Sequence, residues 1–423
     1  MKKIILSFSI VACCFVTFGT TNPVSWKKGN GTDKNPYVIE SAEHFYYLAA
    51  QVNSGNDYEN AYFILSNNID LKREAWTPIG NISQPFKGNF NGNNFEVKNL
   101  YVESPALDYI GLFGCVFGGN IENTGISGLS SVKGKDYVGA MVGYQMGGSI
   151  YNCYNQASVN GQNNVGGIVG YQYGTTVKSC YNAGTISGKW HTGGINGIGY
   201  ANTTIQNCYN IGDVNGDNYV GGIAGKMDGY NHKAILRNCY QKSIFNKVGI
   251  IGTGISIELT NCYFAEVDGM GKEKFGEVLP QDEMKTEPFL ALLNEEQNIW
   301  LQDKKPNINS GYPILASMKY NDVFTNEATD IKEKTATLNG AFSLESEKIL
   351  KKGFEYKAEN SPQYTSINVD LESFTYDLTN LTPYTKYEFR AFVMTEKGKI
   401  TGRKMEFRTH GEKCGASCGH IRH

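Results

Sequence analysis

Val165-Gly-Gly-Ile-Val-Gly170, followed by Ser179-Cys-Tyr181, is the stretch that decides the fold. The same signature stands at Val138-Gly-Ala-Met-Val-Gly143, Thr192-Gly-Gly-Ile-Asn-Gly197, Val220-Gly-Gly-Ile-Ala-Gly225 and Val248-Gly-Ile-Ile-Gly252. Each copy is followed by an Asn/Ser-Cys-Tyr triplet, at Cys153, Cys180, Cys208, Cys239 and Cys262, with intervals of 27, 28, 31 and 23 residues. Tyr109-Ile-Gly-Leu-Phe-Gly114 is a looser, earlier copy. A unit holds two or three short β runs, such as Gly167-Ile-Val169 and Ile205-Gln-Asn-Cys-Tyr209, parted by Gly/Asn turns. Most copies leave no room for a helix of three turns.

A strand-and-turn period of this length predicts one coil of a solenoid per repeat. A propeller blade needs four strands and roughly 40–45 residues, so these units are too short for one. Stacked coils put equivalent residues ~4.8 Å apart. The five cysteines therefore read as a ladder of reduced thiols in the core, where a thiol behaves as a small hydrophobe. One thiol per coil in register does not supply the four converging ligands of a zinc site.

These units resemble the GLUG motif of bacterial surface proteins and of the stalks of IgA-protease-like peptidases. The resemblance continues upstream through Pro36-Tyr-Val-Ile39, Ser41 to Asn53, Tyr62 to Leu71, Trp76-Thr-Pro-Ile-Gly80 and Phe86 to Gly92. Asn91 stands where the family more often has Asp, and Asp70 falls at a structural position. Downstream, Trp300 and Asn309-Ser-Gly-Tyr-Pro-Ile-Leu315 resemble the usual end of such a solenoid. The resemblance spans residues 24–318 and implies a right-handed parallel β-helix, with no reaction attached. Ser41 is a candidate N-cap, with Phe45, Leu48, Ala49 and Val52 on one helical face. A second short helix is expected from Pro288 to Asn294, capped by Thr286. Both sit where open strand edges need covers.

Residues 319–410 change character. Thr335 to Gly340, Gly353 to Tyr356, Phe374 to Leu378 and Tyr387 to Val393 alternate apolar and polar residues, as a β-sandwich does. Leu381-Thr-Pro-Tyr-Thr-Lys-Tyr387 resembles the E–F corner of a fibronectin type III domain, with Tyr387 as the corner tyrosine. Phe407-Arg-Thr409 resembles its closing strand. The fold class expected is thus all-β: a solenoid over 20–318 with helical caps, a sandwich over 319–410, and a tail over 411–423. That tail holds Cys414, Cys418 and His420; it reads as a flexible tail with or without a small disulfide, and its CxxxCxH spacing matches no zinc class.

Met1-Lys-Lys3 and the apolar Ile4 to Phe18 read as an export signal over residues 1–19. Cleavage after Gly19 and lipidation at Cys13, within the lipobox-like Ile10-Val-Ala-Cys13, are the two exits. No other segment has the ~18 apolar residues a membrane span needs. The expected location is therefore secreted or on the outer surface of a Gram-negative cell. With 39 basic and 41 acidic residues in 423, the net charge of −2 offers no electrostatic case for nucleic acid.

Between Val138 and Cys262 the only carboxylates are Asp213, Asp217, Asp228 and Glu258. A glycosidase needs two flanking one bond, so the expectation is a protein that is not an enzyme, needs no cofactor and holds no metal. Asp213 to Asn218 imitates half of a calcium loop, but Asn218 and Ala224 replace its Gly and Glu. The aromatic residues after the Gly-rich segments, Tyr144, Tyr171, Tyr173, Tyr200 and Tyr230, and Trp190 in a turn, are the candidate binding residues. Aligned rings on a solenoid face stack on sugars or partner side chains, or else on one another. The partner expected is a glycan or a surface protein, by binding or adhesion. A carbohydrate-active β-helix enzyme is the alternative.

Overall fold

The computed structural model describes residues 23–242, 249–267, 275–295, 297–303, 308–318, 322–344, 348–369, 374–396, 398–402 and 404–411. The export signal with Cys13, Val248 at the head of the fifth copy, and the Cys414–Cys418 tail lie outside the described residues.

The repeats wind into a parallel β-solenoid of about eight turns. Register along the axis is strict. Phe63, Phe90, Ile121, Ile150, Val177, Ile205 and Leu236 are successive partners and fill one inner column. Val102, Val132, Val159, Ile186 and Val214 fill a second. Such unbroken apolar columns are what parallel stacking requires, because each side chain meets its equivalent above and below.

Corners between sheets come from residues in the left-handed region. Asn123, Asn152, Ser179, Asn207, Asn238 and Asn261 have φ of 48–54°. Asn tolerates this conformation best among residues with a Cβ, which explains the first letter of each Cys-Tyr triplet. Beyond the corner each Cys points inward and each Tyr outward. The five thiols are buried and unbridged, each donating to the carbonyl two residues back at 3.2–3.3 Å.

The glycine pattern has a steric cause. A Cβ on Gly170 would stand 2.5 Å from the Val138 amide nitrogen, and one on Gly225 would stand 2.3 Å from the His191 carbonyl carbon. Two sheets meet there backbone to backbone, with no side chain between them. The two or three β runs read from sequence become five short strands in the coil Asn163–Ser187: Asn163–Gly166, Val169–Tyr173, Thr176–Lys178, Tyr181–Asn182 and Ile186–Ser187. The glycine contact and the left-handed Ser179 corner cut what alternation alone runs together.

Helix α1 (Ala42–Asn53) lays Phe45, Leu48, Ala49 and Val52 into the core at the first coils. Ser41 occupies the N-cap position, but its side chain makes no capping bond. Helix α2 (Glu287–Leu293) is capped by Thr286, whose hydroxyl accepts from the Phe289 amide at 3.4 Å. It lies along the flank, over the outward tyrosines: Phe289 packs 5.9 Å from Tyr240 and 5.3 Å from Tyr263. Trp300 adds contacts to Tyr209 and Tyr240. Tyr154, Tyr181, Tyr209 and Tyr240 stack face to face at 4.9–5.2 Å beneath this cover.

The sandwich region pairs Asp322–Thr329, Ala336–Ser343 and Thr375–Leu378 in one antiparallel sheet. Ile349–Ala358, Thr365–Val369, Lys386–Thr395, Gly398–Thr401 and Met405–Arg408 form the other. Leu338, Phe354, Phe389 and Val393 are buried between them. The Thr382 amide donates to the Tyr387 hydroxyl at 2.9 Å, and the Tyr387 ring stacks on Phe407. That is the corner bond expected from the sequence.

Candidate binding surfaces

Three outward columns lie side by side on the face that carries the Gly-rich strands. One runs Tyr109, Tyr137, Asn164, His191, Tyr219, each in the left-handed region with φ of 53–63°. The second runs Cys115, Tyr144, Tyr171, Ile198, Lys226, and the third Phe117, Met146, Tyr173, Tyr200, Asp228. Rings cross-link the columns: Tyr144 stands 5.9 Å from Tyr109 and 5.8 Å from Phe117. The result is one aromatic face spanning several coils.

The six sequence-predicted residues divide on this face. Tyr144 and Tyr171 stack on each other at 5.0 Å and 7°, half-buried, with Tyr137 edge-on to both. Burial pushes both phenols above their ordinary value. Their faces are occupied by neighbouring rings. Tyr173, Tyr200 and Tyr230 form a looser run, tilted by 31° and 34°. Tyr173 is 41 % exposed, Tyr230 61 % and Trp190 44 %, so these three keep ring surface for a ligand. Trp190 leans on Tyr219, which is 45 % exposed and stacks on His191. His191 Nδ1 donates to the Asn164 side-chain carbonyl at 3.1 Å, and burial lowers the His191 pKa.

Tyr109, Tyr137, His191 and Tyr219 were not singled out from sequence. Each stands directly before the repeat signature, where a residue reads as turn filler. A bulky side chain recurring at a turn position was the available signal, because left-handed tyrosine is costly.

A second feature lies on another face, at the first coils. Pro36, Tyr62, Asn89, Asn120 and Ser149 form one outward column, and Ile64, Asn91 and Glu122 the next. With Asp33 they line a cleft of about 350 Å³. Ser149 donates to Asn120, which donates to Asn89, each at 2.8 Å. Asn91 donates to Glu122 at 2.8 Å. Burial raises the Glu122 pKa, and the Asn91 bond opposes that rise. Asp33 and Glu122 precede the clear repeats and lie 89 residues apart, so nothing in their spacing marks them as a pair.

The four repeat carboxylates do not converge. Asp228 pairs with Lys226 at 3.1 Å and Glu258 with Lys233 at 3.3 Å. The calcium-loop-like segment is not one turn: Val214–Asn215 is a strand paired with Ile186–Ser187, and Asn218 opens the strand Asn218–Gly221 beside Trp190. Among the described residues no group of three or more His, Cys, Asp or Glu is placed to hold a metal ion. No described helix is long and apolar enough to cross a membrane.

Residues 161–187 match the GLUG motif. A Gly-rich membrane protein of Evansella cellulosilytica is 28 % identical over 142 residues, which is 33 % of this chain and 16 % of that protein. Halomucin of Haloquadratum walsbyi is 31 % identical over 131 residues, 28 % of this chain and 1 % of its own length. The chain thus spans a small part of either relative. Among solved structures, a fibronectin type III domain of a human protein is 22 % identical, covering 25 % of this chain and 99 % of that one, with a TM-score of 0.19. A myokine structure covers 22 % of this chain at 15 % identity and a TM-score of 0.20.

Proposed function

We propose that the chain is a surface-associated, non-enzymatic binding protein whose aromatic face holds glycan. The observation that carries this reading is the solvent-open set Tyr173, Trp190 and Tyr230, on a rigid parallel scaffold beside rings already locked by stacking. An exposed ring on a rigid support stacks on the apolar face of a sugar with little ordering cost. The names of the two relatives, a Gly-rich membrane protein and halomucin, support a place at the cell surface. Export through residues 1–19 or an anchor at Cys13 belongs to the same proposal, as does the outer surface of a Gram-negative cell.

The division into a solenoid over 20–318 and a fibronectin type III-like module over 319–410 is likewise proposed. The Tyr387 corner bond and the three- and five-stranded sheets support it. The module's work in this reading is to space or present the solenoid.

The test is a glycan array probed with the full chain and with Tyr173→Ala, Trp190→Ala and Tyr230→Ala combined. Retained binding in the triple variant overturns the aromatic-face reading. A carbohydrate-active enzyme is the second reading, favoured by one observation: Glu122, a half-buried carboxyl with a raised pKa, faces a cleft that also holds Asp33. Release of reducing ends by the full chain, lost in Glu122→Gln, overturns the non-enzymatic reading.

A further inference from the structure

The cleft at the first coils has chemistry that the aromatic face lacks. Its floor changes character along the axis. Pro36, Tyr62 and Ile64 give an apolar end, and Asn89, Asn91, Asn120, Glu122 and Ser149 give a polar one. The internal hydrogen bonds run in one direction. Ser149 feeds Asn120 and Asn120 feeds Asn89, so the Asn120 carbonyl oxygen is used and its amide is spent. Asn91 spends its amide on Glu122, while its own carbonyl accepts from the Asn93 amide at 2.7 Å and the Asn123 side chain at 3.3 Å. This network holds Glu122 by one oxygen, and Glu122 lines the cleft.

Charge is the deciding term. Asp33 and Glu122 both line the space, and among the described residues neither has a cationic partner within ion-pair distance. Lys28, Lys87, Lys98 and Lys133 are engaged with Glu40, Asp57, Glu96 and Glu103, and Lys135 with Asp108 and Asp136. A half-buried carboxylate held by a single amide is a site that gains from a ligand cation, because charge-assisted bonds are the strong ones. The remaining requirement is shape. An apolar floor beside a row of amides and a hydroxyl suits a ring with one apolar face and equatorial polar groups.

We propose that this cleft binds an amino-sugar unit, with its protonated amine on Glu122, its ring over Tyr62 and Ile64, and Asp33 adding negative charge to the same cleft. The cleft is lined from residue 33 to residue 149, across the first coils, and shares no residue with the aromatic face. The proposal therefore goes beyond the aromatic reading and stands or falls separately from it.

The test uses the full chain and isothermal titration calorimetry at a pH where the amine is charged. The probes are a β-1,4-linked glucosamine tetramer and its fully N-acetylated counterpart. The expected result is binding of the amine form at least about tenfold tighter than the acetylated form, as suits loss of a charge-assisted bond. Glu122→Gln keeps an oxygen for Asn91 and removes the charge; it is expected to erase the preference without changing the melting temperature. Asp33→Asn, on an exposed turn, gives a second variant that does not threaten folding and is expected to weaken the amine form by several-fold. Trp190→Ala is expected to leave the preference intact. Equal affinity for the two tetramers, or an undiminished preference in Glu122→Gln and Asp33→Asn, overturns the proposal. Loss of the preference in Trp190→Ala assigns it to the aromatic face and overturns it equally.

Discussion

Asn182→Ala is the substitution that weighs the solenoid's internal polar ladder. Asn182 is wholly buried and makes four hydrogen bonds. It accepts from Asn155 at 2.8 Å and from the Gly184 amide at 3.2 Å, and it donates to the Gly184 carbonyl at 2.8 Å and to Asn210 at 2.8 Å. The same bonds repeat one coil away at Asn155 and Asn210, so the column closes one turn of each coil and ties neighbouring coils together. A net hydrogen bond is worth about 1 kcal/mol, and a buried donor left without a partner costs about 1–3 kcal/mol. Truncation at Asn182 removes four bonds and strands the Gly184 amide, so the expected loss is at least about 4 kcal/mol. Urea unfolding followed by far-ultraviolet circular dichroism reads it, with Ser158→Ala on the exposed strand surface as a control expected within about 0.5 kcal/mol. A loss below about 1 kcal/mol at Asn182 would show that water or a shifted coil replaces the ladder, and the reasoning would fail.

Tyr387→Phe is expected to cost the sandwich about 1 kcal/mol by removing the bond from the Thr382 amide, leaving the solenoid transition unmoved; equal melting losses in both transitions would contradict independent units. Cys153, Cys180, Cys208, Cys239 and Cys262 are expected to resist alkylation in the native chain, since burial holds Cys180 and Cys239 well above the usual thiol range, and to react fully once it is denatured without reductant; mass spectrometry showing bridges among them would reject the ladder. Gly170→Ala is expected to cost more than about 2 kcal/mol, because the added carbon falls 2.5 Å from backbone; a neutral effect in thermal melts would mean the sheets can part. His191 has a folded-state pKa below its ordinary 6.5, so its contribution to stability is present above that value and fades as pH falls through the window beneath it. His191→Asn is expected to flatten that part of the stability curve, measured by melts between pH 7 and pH 4 in about half-unit steps; an unchanged slope would remove His191 as the cause.

How much was legible depended on what repeated. The Gly-rich signatures and the Cys-Tyr triplets recur with the coil, so the solenoid and the thiol column could be read as a period, whereas the left-handed corners at Asn152, Ser179, Asn207, Asn238 and Asn261 show only in the backbone. Tyr387 was legible because a local seven-residue pattern carries it. The tyrosines of the triplets were quoted without their role, since only the fold reveals that Trp300 and Phe289 cover them. The asparagine that follows each of Tyr154, Tyr181 and Tyr209 was passed over as turn composition, though it carries the internal ladder. Tyr144 and Tyr171 looked as open as Tyr173, because spacing does not say which rings face each other. The cleft was hidden for a related reason: Asp33 and Glu122 are far apart in sequence, and only parallel stacking puts residue 36 in column with residue 149.

The central claim is that a rigid aromatic face binds glycan through its open rings. The most direct measurement is the affinity of a glycan found on the array for the intact chain, compared by calorimetry with Trp190→Ala, Tyr173→Ala and Tyr230→Ala and with Tyr144→Phe as a ring-preserving control. The account predicts a loss of about tenfold or more across the combined alanine variant, with the control unchanged. Affinity that survives removal of all three rings would contradict it.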